Sequence, residues 1–69
     1  MRYLVLVKKE SYDAVKIAIA VKKNLSVYLL APRINTIGVD ASEDDRAMIR
    51  AIPGVVEVEE EGDNHATKK

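Results

Sequence analysis

The chain has no cysteine, no tryptophan and no phenylalanine, and its aromatic side chains are three tyrosines in 69 residues. Without thiols there is no disulfide framework, no thiolate metal site and no cysteine nucleophile. With so few aromatics, a base-stacking platform or an aromatic-lined cofactor pocket is not expected. No long apolar stretch is present either: the run Tyr3-Leu4-Val5-Leu6-Val7 falls far short of the ~20 residues that span a bilayer. Arg2, Lys8 and Lys9 surround too few apolar residues for a secretory signal. The expected setting is therefore cytoplasmic, with no membrane partner. Glycine and proline are also scarce, three and two residues, so each one marks a position of interest.

The composition itself is globular, 48% apolar and 32% charged. The length allows one small domain. Net charge is zero, yet the distribution is lopsided. Residues 1–35 hold seven basic and two acidic side chains, a net of +5, and residues 36–69 hold four basic and nine acidic, a net of −5. An acidic second half repels nucleic acid and suits a partner that offers positive charge or helix N-termini.

The aliphatic run at 3–7 predicts a strand central in a sheet. Ser11 then stands as a helix N-cap with Asp13 in the first turn. Ala14, Ile17, Ala18 and Val21 recur at helical spacing, widened by Val15 and Ile19, which predicts that this stripe faces the core. On that reading, Ile17→Ala or Val21→Ala costs on the order of 1–4 kcal/mol. Lys22 and Lys23 suit the helix C-terminus, with Asn24 in the left-handed conformation that ends it. Residues 25–31 read as a strand stopped by Pro32 or lying at a sheet edge. Residues 34–40 read as another, in which Gly38 lets a neighbouring group come close. Ser42 and Asp45 form a capping-box pair before a second helix carrying Ala47, Met48, Ile49, Ala51 and Ile52. Pro53-Gly54 stops that helix. From Val56 to Glu60 valine and glutamate alternate, as on an edge strand with one wet face.

The order strand, helix, strand, strand, helix, strand, with right-handed crossovers, places the first and third strands centrally. The expected fold is α+β, a ferredoxin-like βαββαβ sandwich with a four-stranded antiparallel sheet and two helices on one face. Residues 1–61 form the domain, and 62–69 a flexible C-terminal tail. One sheet face then lacks a helix layer. Aliphatic side chains on it are costly to leave wet, so the fold points to protein binding.

Catalytic chemistry is poorly provided. His65 is the lone histidine and falls in the tail. Asp44 and Asp45 are adjacent, so on a helix they point about 100° apart and cannot share a proton. Glu59-Glu60-Glu61 lacks the spacing of a calcium loop, and Gly38, Gly54 and Gly62 do not make a phosphate cradle. No catalytic residue, cofactor or metal is expected. Nucleic-acid binding through Arg2, Lys8, Lys9, Lys16, Lys22, Lys23 and Arg33 is disfavoured, since only Tyr3 of the central strands could stack on a base.

Residues 40–61 bear a resemblance that gives the binding reading a direction. Asp40-Ala41-Ser42-Glu43-Asp44-Asp45, then a helix running into Pro53-Gly54, then Val55-Val56-Glu57-Val58-Glu59, resembles the second half of the subtilisin propeptide family of peptidase inhibitors. Arg2-Tyr3-Leu4-Val5-Leu6-Val7-Lys8 is similar to that family's first strand. The resemblance implies an inhibitor and folding chaperone of a subtilisin-like serine protease; since this sequence contains no protease, the expected action is in trans. It implies that the open sheet face packs on two surface helices of the protease, with Glu59 and Glu61 capping their N-termini. It further implies that Gly62, Asp63, Asn64, His65, Ala66 and Thr67 enter the active-site cleft in substrate fashion. The alternative is a small interaction or regulatory module that forms a homodimer through its sheet.

Overall fold

The computed structural model describes residues 1–61. Strand β1 (Arg2–Val7) leads through a 3-10 turn (Lys9–Ser11) into helix α1 (Tyr12–Ala20). Strand β2 (Ser26–Ala31) follows, then a second 3-10 turn (Pro32–Ile34) and strand β3 (Thr36–Asp40). Helix α2 (Glu43–Arg50) and strand β4 (Val55–Glu60) complete the domain. The four strands form one sheet in the order β2-β3-β1-β4, with antiparallel neighbours. This is the expected ferredoxin-like α+β arrangement, with the first and third strands central. Among the described residues no helix is long and apolar enough to cross a membrane.

Alternation along the strands divides the sheet into two faces. Tyr3, Val5 and Val7 of β1 point to the helix side, beside Ile37 and Val39 of β3 and Val58 of β4. These side chains join Tyr12, Val15, Ile19, Leu25, Ala41 and Ile49 in a single core, with Ile52 and Val55 packed against it. Both helices therefore cover the same face.

Helix α1 buries a different stripe from the one expected. Tyr12, Val15 and Ile19 face the core, whereas Ile17 is 60% and Val21 71% exposed. Ile17 lies roughly 200° around the helix from Val15. Both stripes have helical spacing, so periodicity alone does not choose between them. The buried one contains the aromatic residue, whose hydroxyl donates to the Thr36 carbonyl at 3.5 Å, and it removes more apolar area from water. A large core cost for Ile17→Ala or Val21→Ala is thus excluded.

Four local expectations also change. Ser11 makes no side-chain cap bond, because a 3-10 turn precedes the helix in place of an extended cap residue. Asn24 does not adopt a left-handed conformation; its amide Nδ2 donates to Asp45 Oδ1 at 2.7 Å and ties the loop after α1 to the start of α2. Asn35, with φ of 54°, takes the left-handed position and closes the 3-10 turn ahead of β3, which moves the start of that strand from 34 to 36. In β4 a register shift opposite Leu6 and Val7 sets Val55 across from Val7 and leaves Val56 51% exposed. The valine–glutamate alternation therefore holds only from Glu57 onward.

The start of α2 follows the sequence closely. The Asp45 carboxylate accepts from the Ser42 backbone N–H at 3.2 Å and from its hydroxyl at 2.8 Å. These bonds hold the Asp45 carboxyl below its ordinary pKa. After the helix, Gly54 adopts φ of 99°, and a Cβ there would lie 2.5 Å from the Ser11 Cβ. Glycine is required by both backbone and space.

Candidate functional site

The face of the sheet opposite the helices carries Arg2, Leu4 and Leu6 from β1, and Thr36, Gly38 and Asp40 from β3. The register of β4 adds Glu57 beside Leu6 and Glu59 beside Leu4. On β2 the register shifts between Val27 and Leu29. The extra residue of this bulge puts Tyr28 and Leu29 both on the open face, where Val27 and Leu30 point to the helix side.

Tyr28 is the centrepiece. Its ring lies over Gly38, where a Cβ would come within 2.8 Å of the ring carbon Cζ and of the Leu29 Cβ. The close approach anticipated at Gly38 is thus supplied by a side chain of the neighbouring strand. Reaching across the sheet from β2, the Tyr28 hydroxyl donates to Glu61 Oε1 just beyond β4. The Arg2 guanidinium sits 4.8 Å from the ring centroid, within cation–π range. Burial, with Glu61 as hydrogen-bond and charge partner, pushes the Tyr28 pKa up to about 12. The hydroxyl is therefore protonated at physiological pH and able to donate to Glu61.

Around Tyr28 the surface is aliphatic at the centre and acidic at the rim. Leu4 and Leu6 are half-buried and Leu29 is 41% exposed. Glu57 is drawn to Arg50 of α2 at 3.4 Å around the β4 edge, whereas Glu59 is exposed. The two carboxylates implicated by resemblance therefore differ: Glu59 stands at the rim, and Glu61 is engaged by Tyr28. Gly62, Asp63, Asn64, His65, Ala66 and Thr67 lie outside the described residues.

Tyr3 does not reach this face. It is 1% exposed on the helix side, with the Arg46 guanidinium 6.0 Å from its ring. It cannot stack on a base, and Tyr28 already carries Arg2 against its ring. On the open face Asp40 is paired with the N-terminal ammonium at 3.2 Å and Glu57 with Arg50, and Glu59 and Glu61 outnumber Arg2, so this face offers phosphate no cluster of cations. A shallow depression of about 390 Å³ on α2, lined by Glu43, Arg46, Ala47 and Arg50, is walled by one helix surface and encloses nothing. Among the described residues no cluster of three or more histidine or carboxylate side chains could hold a metal ion.

Sequence reading pointed to this face but missed Tyr28. The available signal was an aromatic residue on the strand next to the one that holds Gly38, the only glycine within a strand among the described residues. The bulge that aims it across the sheet is not visible as a pattern. No family model, curated protein or solved structure matches the chain.

Proposed function

We propose that this chain is a protein-binding inhibitor domain that docks its open sheet face on a subtilisin-like serine protease. The observation that carries the reading is the apolar centre of Leu4, Leu6, Tyr28 and Leu29, over which no helix of the described residues packs. Apolar surface of this kind is more stable when covered by a partner. The identity of the partner rests on the resemblance of residues 40–61. Its second support is Glu59, an exposed carboxylate at the rim beside Leu4, a group of the kind that caps a helix N-terminus. Glu61 has a different task on this reading: it holds Tyr28 flat and keeps the docking surface level. No step of bond chemistry by this chain is involved. Protease activity falls because the cleft is blocked.

The test is a titration of a subtilisin-like serine protease with the full chain. Slow, saturable loss of activity is expected, weakened roughly tenfold by Glu59→Lys. Removal of residues 62–69 should weaken inhibition further while leaving face-to-face binding measurable by calorimetry. Absence of both inhibition and binding would refute the proposal.

A further inference from the structure

We infer that a second copy of this chain pairs with the free edge of β2 and extends the sheet across a two-fold axis. This inference does not rest on the protease reading; it uses the edge of β2, with Tyr28 and Leu29 bordering both surfaces. Among the described residues, β2 has β3 as its single strand neighbour. Its outer side is a row of backbone donors and acceptors available for another strand. Soluble proteins usually blunt such an edge with lysine, an inward-pointing charge or proline. Ser26–Ala31 contains none of these, and Pro32 follows only after the strand. Val27, Leu29 and Leu30 are 37%, 41% and 50% exposed.

The bulge, which in many sheets spoils an edge, here makes the strand self-complementary. Ser26, Tyr28, Leu29 and Ala31 point to the open face, and Val27 and Leu30 to the helix face. The sequence of faces along β2 reads the same in both directions. Residues directly opposite in an antiparallel pair share a face. Pairing about the midpoint of Tyr28 and Leu29 therefore sets Val27 of one copy opposite Leu30 of the other on the helix side. Tyr28 then meets Leu29 on the open side, and Ser26 meets Ala31. Every apolar residue finds an apolar or small partner. Beyond the strand ends, Arg33 falls nearest Asn24 and Lys23 nearest Ile34 of the other copy, so like charges stay apart.

The area involved is small. Val27, Leu29 and Leu30 together expose roughly 200 Å² per copy, and the strand edge brings the total to about 400 Å², half of the ~800 Å² per partner in a standard stable interface. An interface of this size is accordingly weak and reversible. It leaves both open faces free on the same side of an eight-stranded sheet.

The test is sedimentation velocity of the full chain from roughly 10 μM to about 1 mM, a range suited to a weak interface, with amide hydrogen exchange of β2 followed over the same range. A concentration-dependent dimer is expected, with outward amides of residues 26–31 gaining protection as it forms. Leu30→Lys, checked for folding by circular dichroism, should weaken association at least tenfold while leaving protease inhibition unchanged. Should that variant fail to fold, hydrogen exchange of the unaltered chain decides alone. A monomer at the highest concentration, a dimer whose β2 amides do not change, or a folded Leu30→Lys chain that dimerises normally would each overturn the inference. So would a monomer whose β2 edge accepts only an extended peptide of another protein.

Discussion

Gly38→Ala is the most informative single perturbation of the open face. Gly38 does not need a positive φ, so alanine is compatible with its backbone and, by restricting the unfolded chain, would by itself stabilise by about 0.5–1 kcal/mol. Space opposes it. The new methyl would sit 2.8 Å from the Leu29 Cβ and from the Tyr28 Cζ, and 3.0 Å from the Tyr28 Cε1. The Leu29 Cβ is fixed to the backbone and cannot rotate away. The ring can, but only by leaving the sheet, which breaks its bond to Glu61 and its contact with Arg2. Overpacking of this kind costs about 1–3 kcal/mol, so the net effect runs from near zero to a loss of about 2.5 kcal/mol. Urea denaturation followed by far-ultraviolet circular dichroism measures it. A second readout comes from tyrosinate absorbance. The Tyr28 pKa of about 12 should fall toward the ordinary value near ~10, with Tyr28→Phe identifying its share of the signal. Unchanged stability together with an unchanged high pKa would mean that Tyr28 does not lie over Gly38.

Three further outcomes follow from the same structure. Ile19→Ala should cost about 2–4 kcal/mol by emptying a fully buried site, and Ile17→Ala less than about 0.5 kcal/mol, in parallel denaturation curves; equal losses would place the wrong face of α1 against the core. Asp45→Ala should lower the melting temperature near neutral pH. Because the native carboxyl titrates below its ordinary value of 3.8, the stability it adds is present above that value and lost as pH falls through its folded pKa. The gap between the two chains should therefore close in acid, and a gap independent of pH would contradict the capping role. Tyr28 acts at the other end of the scale. Its pKa is raised, so its contribution is intact below about pH 10 and is lost as pH rises toward 12, by at most about 3 kcal/mol, a decline that Tyr28→Phe should abolish in alkaline denaturation curves.

The layout of this domain is readable from its sequence because element type and order depend on local signals. The aliphatic run at 3–7, the Ser42–Asp45 pair and the Pro53-Gly54 stop each specify what they become. Facing is harder to read. Helix α1 has apolar residues on opposite sides, and the choice between them depends on how Tyr12 fits beneath the sheet, a tertiary matter. The exposure of Val56 depends on a one-residue shift against β1, and the placement of Tyr28 on another against β3. Shifts of this kind reassign every side chain beyond them. Asn24 and Asn35 are equally plausible left-handed residues by type, and the 3-10 turn at Pro32–Ile34 selects the second. The candidate site was thus legible as an uncovered face and as the rim residue Glu59. Its central side chain and the engagement of Glu61 were not.

The most direct test of the account labels leucine, isoleucine and valine methyl groups and observes them by cross-saturation from an added subtilisin-like serine protease. Attenuation is predicted at Leu4, Leu6 and Leu29, with Ile17 and Val21 on the outer side of α1 unaffected. Attenuation centred on Ile17 and Val21, or none at any methyl group with protease in excess, would contradict docking through the open sheet face.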